Sequence, residues 1–360
     1  MKKRLNSFLI TCFCCIFLFL LLFQSKECIK FASNGLLIWY RNMIPSLFPF
    51  MVLSGFIIRS GLSIKIGQYM QPFLGTIFRL PAPMLYTIFM GFLCGFPMGA
   101  KIVADMLEKE QITQKEGEYL LSFCNNIGPL YMLGYVIPLF GYKNIGLILG
   151  WMYLIPFGYG LYLRHFSKKH SFTLYETKYT SMQNPRYFYN RSYTQHMVAC
   201  SYPVNNLPPS ISYLSCFQQS LSSAIEQITL LGGCMVFFNC LLIFPQMLNV
   251  LFSQTSLSYI SPILTAIFSS LIEIGGGLQQ LASSDNLTDG NIKFQHFTSF
   301  FALETPDIIP LLPLALLSFG GLSCIAQTCF ILKKTGLKIS TYIKHKFIQS
   351  CIFILLMFLL

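Results

Sequence analysis

Apolar runs long enough to cross a bilayer recur from one end of the chain to the other, and that recurrence limits what the chain can become. A spanning helix takes about 20 predominantly apolar residues. Runs of that kind occupy 5–23 and, approximately, 35–58, 84–104, 119–141, 145–163, 222–246, 258–281, 308–331 and 347–360. Only 11% of the 360 residues are charged, 35 Phe outnumber 25 Lys plus Arg, and the mean hydropathy is +0.58. So little charge cannot cover a water-facing surface of this size, since a soluble domain carries about 25%. The fold class expected is therefore an all-α polytopic membrane protein with about eight or nine apolar segments.

The formal net charge of +12 could point to nucleic acid or to membrane orientation. The basic residues flank apolar runs and do not alternate with stacking aromatics, which argues for orientation and against nucleic acid. The first run, 5–23, follows basic Met1–Arg4 and is interrupted only by Asn6, Ser7 and Thr11. It exceeds a signal-peptide core and ends without a small-x-small cleavage site, so a retained anchor with a cytoplasmic N-terminus is expected. The 13 cysteines, among them Cys12, Cys14, Cys15, Cys94, Cys124, Cys234, Cys240, Cys324, Cys329 and Cys351, show no paired spacing for a metal. No cofactor is expected, and neither is an enzyme. His165, His170, His196, His296 and His345 lie in polar stretches, and no Gly-x-Ser-x-Gly or His-x-x-x-His motif occurs.

A polar segment at 164–220 divides the chain. It holds Arg164, Lys168, Lys169, Lys178, Arg186 and Arg191 against Glu176 alone, so a cytoplasmic linker is expected. The stretch Lys333, Lys334, Lys338, Lys344 and Lys346 is placed on the same side by the same rule. Five full crossings before the linker, or three after it, would put these charges on opposite sides. One re-entrant element in each half removes the conflict and gives two inverted units. The expected organisation is an anchor with a short loop (1–34), a first repeat (35–163), the linker (164–220), a second repeat (221–331) and a basic loop with a final membrane segment (332–360).

Each half has two places unfit for continuous helix. The first half has Gly91-Phe-Leu-Cys-Gly95-Phe-Pro97-Met-Gly99-Ala-Lys101 and Cys124-Asn125-Asn126-Ile127-Gly128-Pro129. The second half has Glu273-Ile274-Gly275-Gly276-Gly277 and Ser318-Phe319-Gly320-Gly321-Leu322-Ser323, with Gln327 one turn on. Leu121-Ser122-Phe123 and Leu317-Ser318-Phe319 precede the second break of each half, a trace of duplication. Irregular backbone at membrane depth survives only where protein or a wet cavity satisfies it. Half-helix ends there can hold polar or ionic parts of a solute, and Asn125, Asn126, Ser323 and Gln327 suit a neutral polar ligand such as a sugar or base. The competing reading for any one Gly or amide is helix packing. Glu273 stands out, because a charge at the bilayer centre costs about 3 kcal/mol; such a carboxyl faces a cavity, holds its proton, or pairs with a cation or ligand. Glu226 and Lys101 can reach an interface by snorkelling.

Several of these stretches occur in an order that resembles a known family. They are Trp39 with Ile44-Pro45-Ser46-Leu47-Phe48-Pro49-Phe50; Gly95 through Lys101; Asn125 with Gly128-Pro129-Leu130; Glu273 through Gly277; and Ser318 through Ser323 with Gln327. Together they resemble the nucleoside-recognition Gate-domain membrane proteins, and more narrowly the sporulation integral membrane proteins of the YlbJ type. Gly275 and Asn126 depart from that pattern, which favours hydroxyl residues there. The resemblance implies a multi-pass protein of the forespore or mother-cell membrane that acts in endospore formation, with a link to the spore cortex.

Two functions are weighed. One is a transporter or channel for a small polar solute held at Gly95, Pro97, Gly99, Asn125, Asn126, Gly128, Pro129, Glu273, Gly277, Gly320, Gly321, Ser323 and Gln327, with Na+ or H+ as coupling ion. The other is a non-transporting scaffold for spore-envelope assembly, with partner contacts carried by 164–220. The bilayer is the expected surrounding, and a homo-oligomer is compatible with the sequence.

Overall fold

A computed structural model describes residues 2–142, 144–166, 212–252, 254–255, 258, 261–283, 311–333 and 335–359, and among them there are helices and no strands. Among the described residues six helices are long and apolar enough to cross a membrane, or seven if one bent pair counts as a span. The Lys2–Phe23 helix lies at the periphery, with Phe8, Leu9, Ile10, Leu18, Phe19 and Leu22 exposed. An apolar surface of that extent belongs against lipid. Its inner face holds Phe13 and Phe17, which stack on Phe244 at 5.5 and 6.0 Å between ring centroids.

Proline sets the course of the longer spans. Ser25–Ile38 runs through a π-helical turn, Trp39–Met43, into Ile44–Arg59. Pro45 cannot donate to the turn before it, and the backbone there widens to a π turn. The two other π turns, Gln71–Gly75 and Met132–Val136, likewise contain Pro72 or precede Pro138. The Ile44–Arg59 and Tyr213–Cys240 helices pack along each other. Trp39 anchors that contact by donating from Nε1 to the Ile228 carbonyl at 2.9 Å.

The apolar run at 84–104 is not one helix. It forms Ala82–Cys94 and Met98–Glu108, and a helical stretch absent from the sequence expectation, Leu62–Phe78, meets Ala82–Cys94 at 87°. The run at 119–141 begins with Gln114–Cys124, started by a capping box in which the Thr113 side chain accepts from Glu116 N and Glu116 Oε2 accepts from Thr113 N. It breaks at 125–128 and resumes at Pro129. In the second half the runs are Tyr213–Cys240 with Ile243–Phe252, Ser261–Ile272 with Ile274–Ser283, and Leu311–Phe319 with Gly321–Leu332.

Two charge assignments change. Arg164, counted with the polar linker, ends the Ile145–Phe166 helix; it is buried and donates from Nε to Phe78 O and from Nη2 to Arg79 O, both at 3.1 Å. The final helix is Ile339–Leu359 and starts earlier than the apolar run at 347–360. It therefore takes in Lys346, which is fully buried. Lys346 is thus not part of a solvated basic stretch, and it leaves the charge count that argued for a cytoplasmic loop. The linker expectation for 167–211, including Lys168, Lys169, Glu176, Lys178, Arg186 and Arg191, lies outside the described residues, whereas 213–220 already belong to helix.

Candidate functional site

All four expected breaks are present, and they meet. The Ala82–Cys94 helix stops at Gly95, whose φ of 87° and ψ of −173° suit glycine. The Phe96–Pro97 peptide is cis, and helix restarts at Met98. The second break, Asn125–Gly128, lies across the first. A Cβ on Gly128 would sit 2.6 Å from Cys94 O, one on Gly91 2.6 Å from Cys124 O, and one on Gly99 2.7 Å from Asn125 Cα. Gly91, Gly95, Gly99 and Gly128 are therefore glycine because two backbones cross there with no room for a side chain.

The second half repeats the arrangement. Glu273 separates Ser261–Ile272 from Ile274–Ser283, and a Cβ on Gly277 would run into the backbone of Ser269 and Ser270. Gly320 and Gly321, with φ of 85° and 73°, separate the next two helices. A Cβ on Gly321 would lie 2.9 Å from Ser270 O, and one on Gly320 3.1 Å from Phe96 Cζ. That last contact joins the breaks of one half to those of the other.

Between them lies a cavity of about 30 Å³, lined among others by Ser46, Phe96, Tyr131, Glu273, Cys324 and Gln327. A volume near 30 Å³ holds one or two waters or a small ion. Glu273, 2% exposed, sits at the N-terminal end of Ile274–Ser283. Its Oε2 accepts from Gly276 N at 2.6 Å and from Asn239 Nδ2 at 3.1 Å. The carboxylate caps a half-helix, where backbone N–H groups and the helix dipole favour negative charge. Tyr131, 4% exposed, has a hydroxyl without a hydrogen-bond partner among the described residues, as does Asn239 Oδ1. Gln327 donates from Nε2 to Ser323 Oγ at 3.1 Å, and Ser323 is not among the residues lining the cavity.

The two asparagines are used by the protein itself. Asn125 Oδ1 accepts from Ala100 N at 3.3 Å, and Nδ2 donates to Thr328 Oγ1 at 3.2 Å and Tyr342 Oη at 3.0 Å. One side chain thus caps the Met98–Glu108 helix and ties it to two elements of the other half. Asn126 donates to Phe123 O and accepts at 2.6 Å from Lys346 Nζ. For these two residues helix packing, not ligand contact, describes what the amides do. Lys101, the other cation near the first break, pairs with Asp105 one turn on.

Lys346 is the residue that sequence reasoning missed. Its Nζ donates to Asn126 Oδ1 and, at 3.2 Å, to Gln349 Oε1, and lies 4.9 Å from the Phe96 ring centroid. Among the described residues no carboxylate pairs with it. Cys324 lies within electrostatic reach of both Lys346 and Glu273. The signal was available in the sequence: Tyr342, Lys346, Gln349 and Ser350 fall on one helix face at i, i+4, i+7 and i+8, a polar stripe that runs into the apolar part of the helix.

Gly128, Glu273 and Gln327 thus line the cavity directly. Gly95, Pro97, Gly99, Pro129, Gly277, Gly320 and Gly321 shape the backbone around it. Ser323, Asn125 and Asn126 hold neighbouring groups in place.

No family model matches the chain, and no solved structure matches it. Among curated proteins, the sporulation integral membrane protein YlbJ of Bacillus subtilis (strain 168) is 25% identical over 363 residues, covering 99% of this chain and 83% of that protein. A match of that extent reaches every break, and the described helices have the composition of a multi-pass membrane protein. Over nearly its whole length the chain is thus similar to a sporulation integral membrane protein of the YlbJ type.

Proposed function

We propose that the protein carries a small polar solute across a membrane of the developing spore, with the solute held where the four helix breaks meet. The observation behind this reading is the crossing of two broken helices in each half, with Phe96 of one half against Gly320 of the other. Discontinuous helices facing one another near the bilayer centre are how many secondary transporters build a site that can be exposed to either side. Interrupting four helices in lipid forfeits backbone hydrogen bonds, and a purely structural bundle has no need of that. The spore context comes from the name of the Bacillus subtilis relative.

A cavity of about 30 Å³ is too small for a sugar or base, so the structure corresponds to a closed form under this reading. Opening would part the halves at Phe96–Gly320 and at the Asn125 bonds to Thr328 and Tyr342. Glu273 and Gln327 would then supply the polar contacts, with Lys346 beside Phe96 as the buried positive charge.

One observation favours the alternative, a scaffold in spore-envelope assembly: Asn125 and Asn126 spend their amides on packing. Replacing Glu273 by Gln in the native spore-former separates the two. This near-isosteric change keeps an acceptor for Gly276 N and removes the charge. With membrane abundance unchanged, transport predicts a loss of heat-resistant spores, whereas a full count would refute the transport reading and leave the scaffold.

A further inference from the structure

We infer that the cavity beside Glu273 binds a single sodium ion. This deepens the transport reading and rests on it for the ion's role, though not for its binding.

The charge balance comes first. Glu273 is buried, and among the described residues no Lys, Arg or His pairs with it. The N-terminus of Ile274–Ser283 offsets roughly half a unit of charge, so an ionised Glu273 would leave about half a negative charge for a bound cation to balance. The hydrogen bonds to the carboxyl from Gly276 N and Asn239 Nδ2 fall on Oε2, and the Gly275 backbone N–H bonds the carboxyl as well. Together they fix the group beside the cavity.

The second observation is independent of that carboxylate. Tyr131 lines the same cavity and is 4% exposed, and its hydroxyl has no partner among the described residues. A buried orphan hydroxyl costs on the order of a hydrogen bond unless a ligand uses it. Gln327, in the same wall, spends Nε2 on Ser323, and its amide oxygen accepts none of the hydrogen bonds described. Cys94, also in the wall, ends the Ala82–Cys94 helix, whose terminal carbonyls bring the negative end of a half-helix to the same space.

The donor set selects the ion. Among the lining residues, Glu273, Tyr131, Gln327 and Ser46 can offer oxygen, and only one of them is a carboxylate, which matches a monovalent cation; calcium and magnesium sites gather more carboxylate or water oxygens. Cys94 and Cys324 are in the wall, yet no group of three His, Cys, Asp or Glu able to hold a metal occurs among the described residues, which disfavours zinc or copper. The volume of about 30 Å³ suits the smaller alkali ion with a residual water.

The test uses the full chain in detergent and follows tryptophan fluorescence on heating in NaCl, KCl or choline chloride at equal ionic strength. The expected result is a saturable rise of the wild-type unfolding midpoint, on the order of a few degrees, with NaCl alone. Tyr131→Phe, which removes the ligand oxygen and keeps the ring, should weaken the sodium dependence several-fold, and Glu273→Gln should abolish it. Equal wild-type midpoints in the three salts overturn the inference, as does a full sodium response in Tyr131→Phe. If Glu273→Gln fails to fold, Tyr131→Phe decides. A sodium response together with a solute screen that finds nothing stabilising would retain the ion site and remove the transport reading; the reverse pair of results would do the opposite.

Discussion

Adding one methyl group at Gly95 tests whether the crossing of the first two breaks holds the protein together. The backbone there has φ 87° and ψ −173°, a region that glycine alone occupies readily, so Ala carries a strain of about 1–3 kcal/mol. The new Cβ would also lie 2.6 Å from Gly128 Cα and overlap Gly128 N. Both are backbone atoms that cannot rotate away, and overpacking of this kind costs a further 1–3 kcal/mol or so. The combined loss of about 2–6 kcal/mol is a large share of the 5–15 kcal/mol typical of a folded domain.

Two other glycines separate the contributions. Gly141 has φ 63° with nothing within 4 Å of its Cβ position, so Gly141→Ala carries strain alone, about 1–2 kcal/mol. Gly134 has open space and lies in the helical stretch Met132–Val136, so Gly134→Ala should be neutral or mildly stabilising. Unfolding midpoints in detergent, followed by the monodisperse fraction after heating, should rank Gly134→Ala at or above wild type, then Gly141→Ala, then Gly95→Ala. A Gly95→Ala protein that melts with Gly134→Ala would refute the crossed-break geometry.

Lys346→Met keeps the length of the side chain and removes a buried ammonium that has no carboxylate partner among the described residues. Stability should change by no more than about 1–2 kcal/mol in either direction, while heat-resistant spore counts should fall if the charge serves transport; unfolding midpoints and spore counts measured together show whether the two separate. Thr113→Ala removes the acceptor for Glu116 N and should cost about 1 kcal/mol. The loss should appear in hydrogen exchange as faster opening confined to the first turn of Gln114–Cys124, and uniform exchange across that helix would contradict the capping assignment.

The membrane class, the positions of the breaks and the prominence of Glu273 were legible in the sequence because each depends on local chemistry. Apolar runs of spanning length have few other solutions, Gly and Pro interrupt helix wherever they cluster, and a carboxyl in an apolar run is conspicuous on its own. Helix ends were less legible: the Leu62–Phe78 stretch contains Lys65 and Gln71, and hydropathy alone did not separate it from a loop.

What the tertiary structure decided concerns partners distant in sequence. Nothing near Asn125 predicts that its amide reaches Thr328 and Tyr342, and nothing near Gly95 predicts that Gly128 occupies the space beside it. Lys346 shows the difference most directly. In sequence it follows Lys344 and reads as part of a basic stretch; in the fold, the pitch of one helix exposes Lys344 and turns Lys346 into the centre, against Phe96 and Asn126. Residue type and local spacing determined where this chain bends and what surrounds it, whereas which bends meet, and which charge is enclosed with them, depended on the packing of helices from about 30 to more than 200 residues apart.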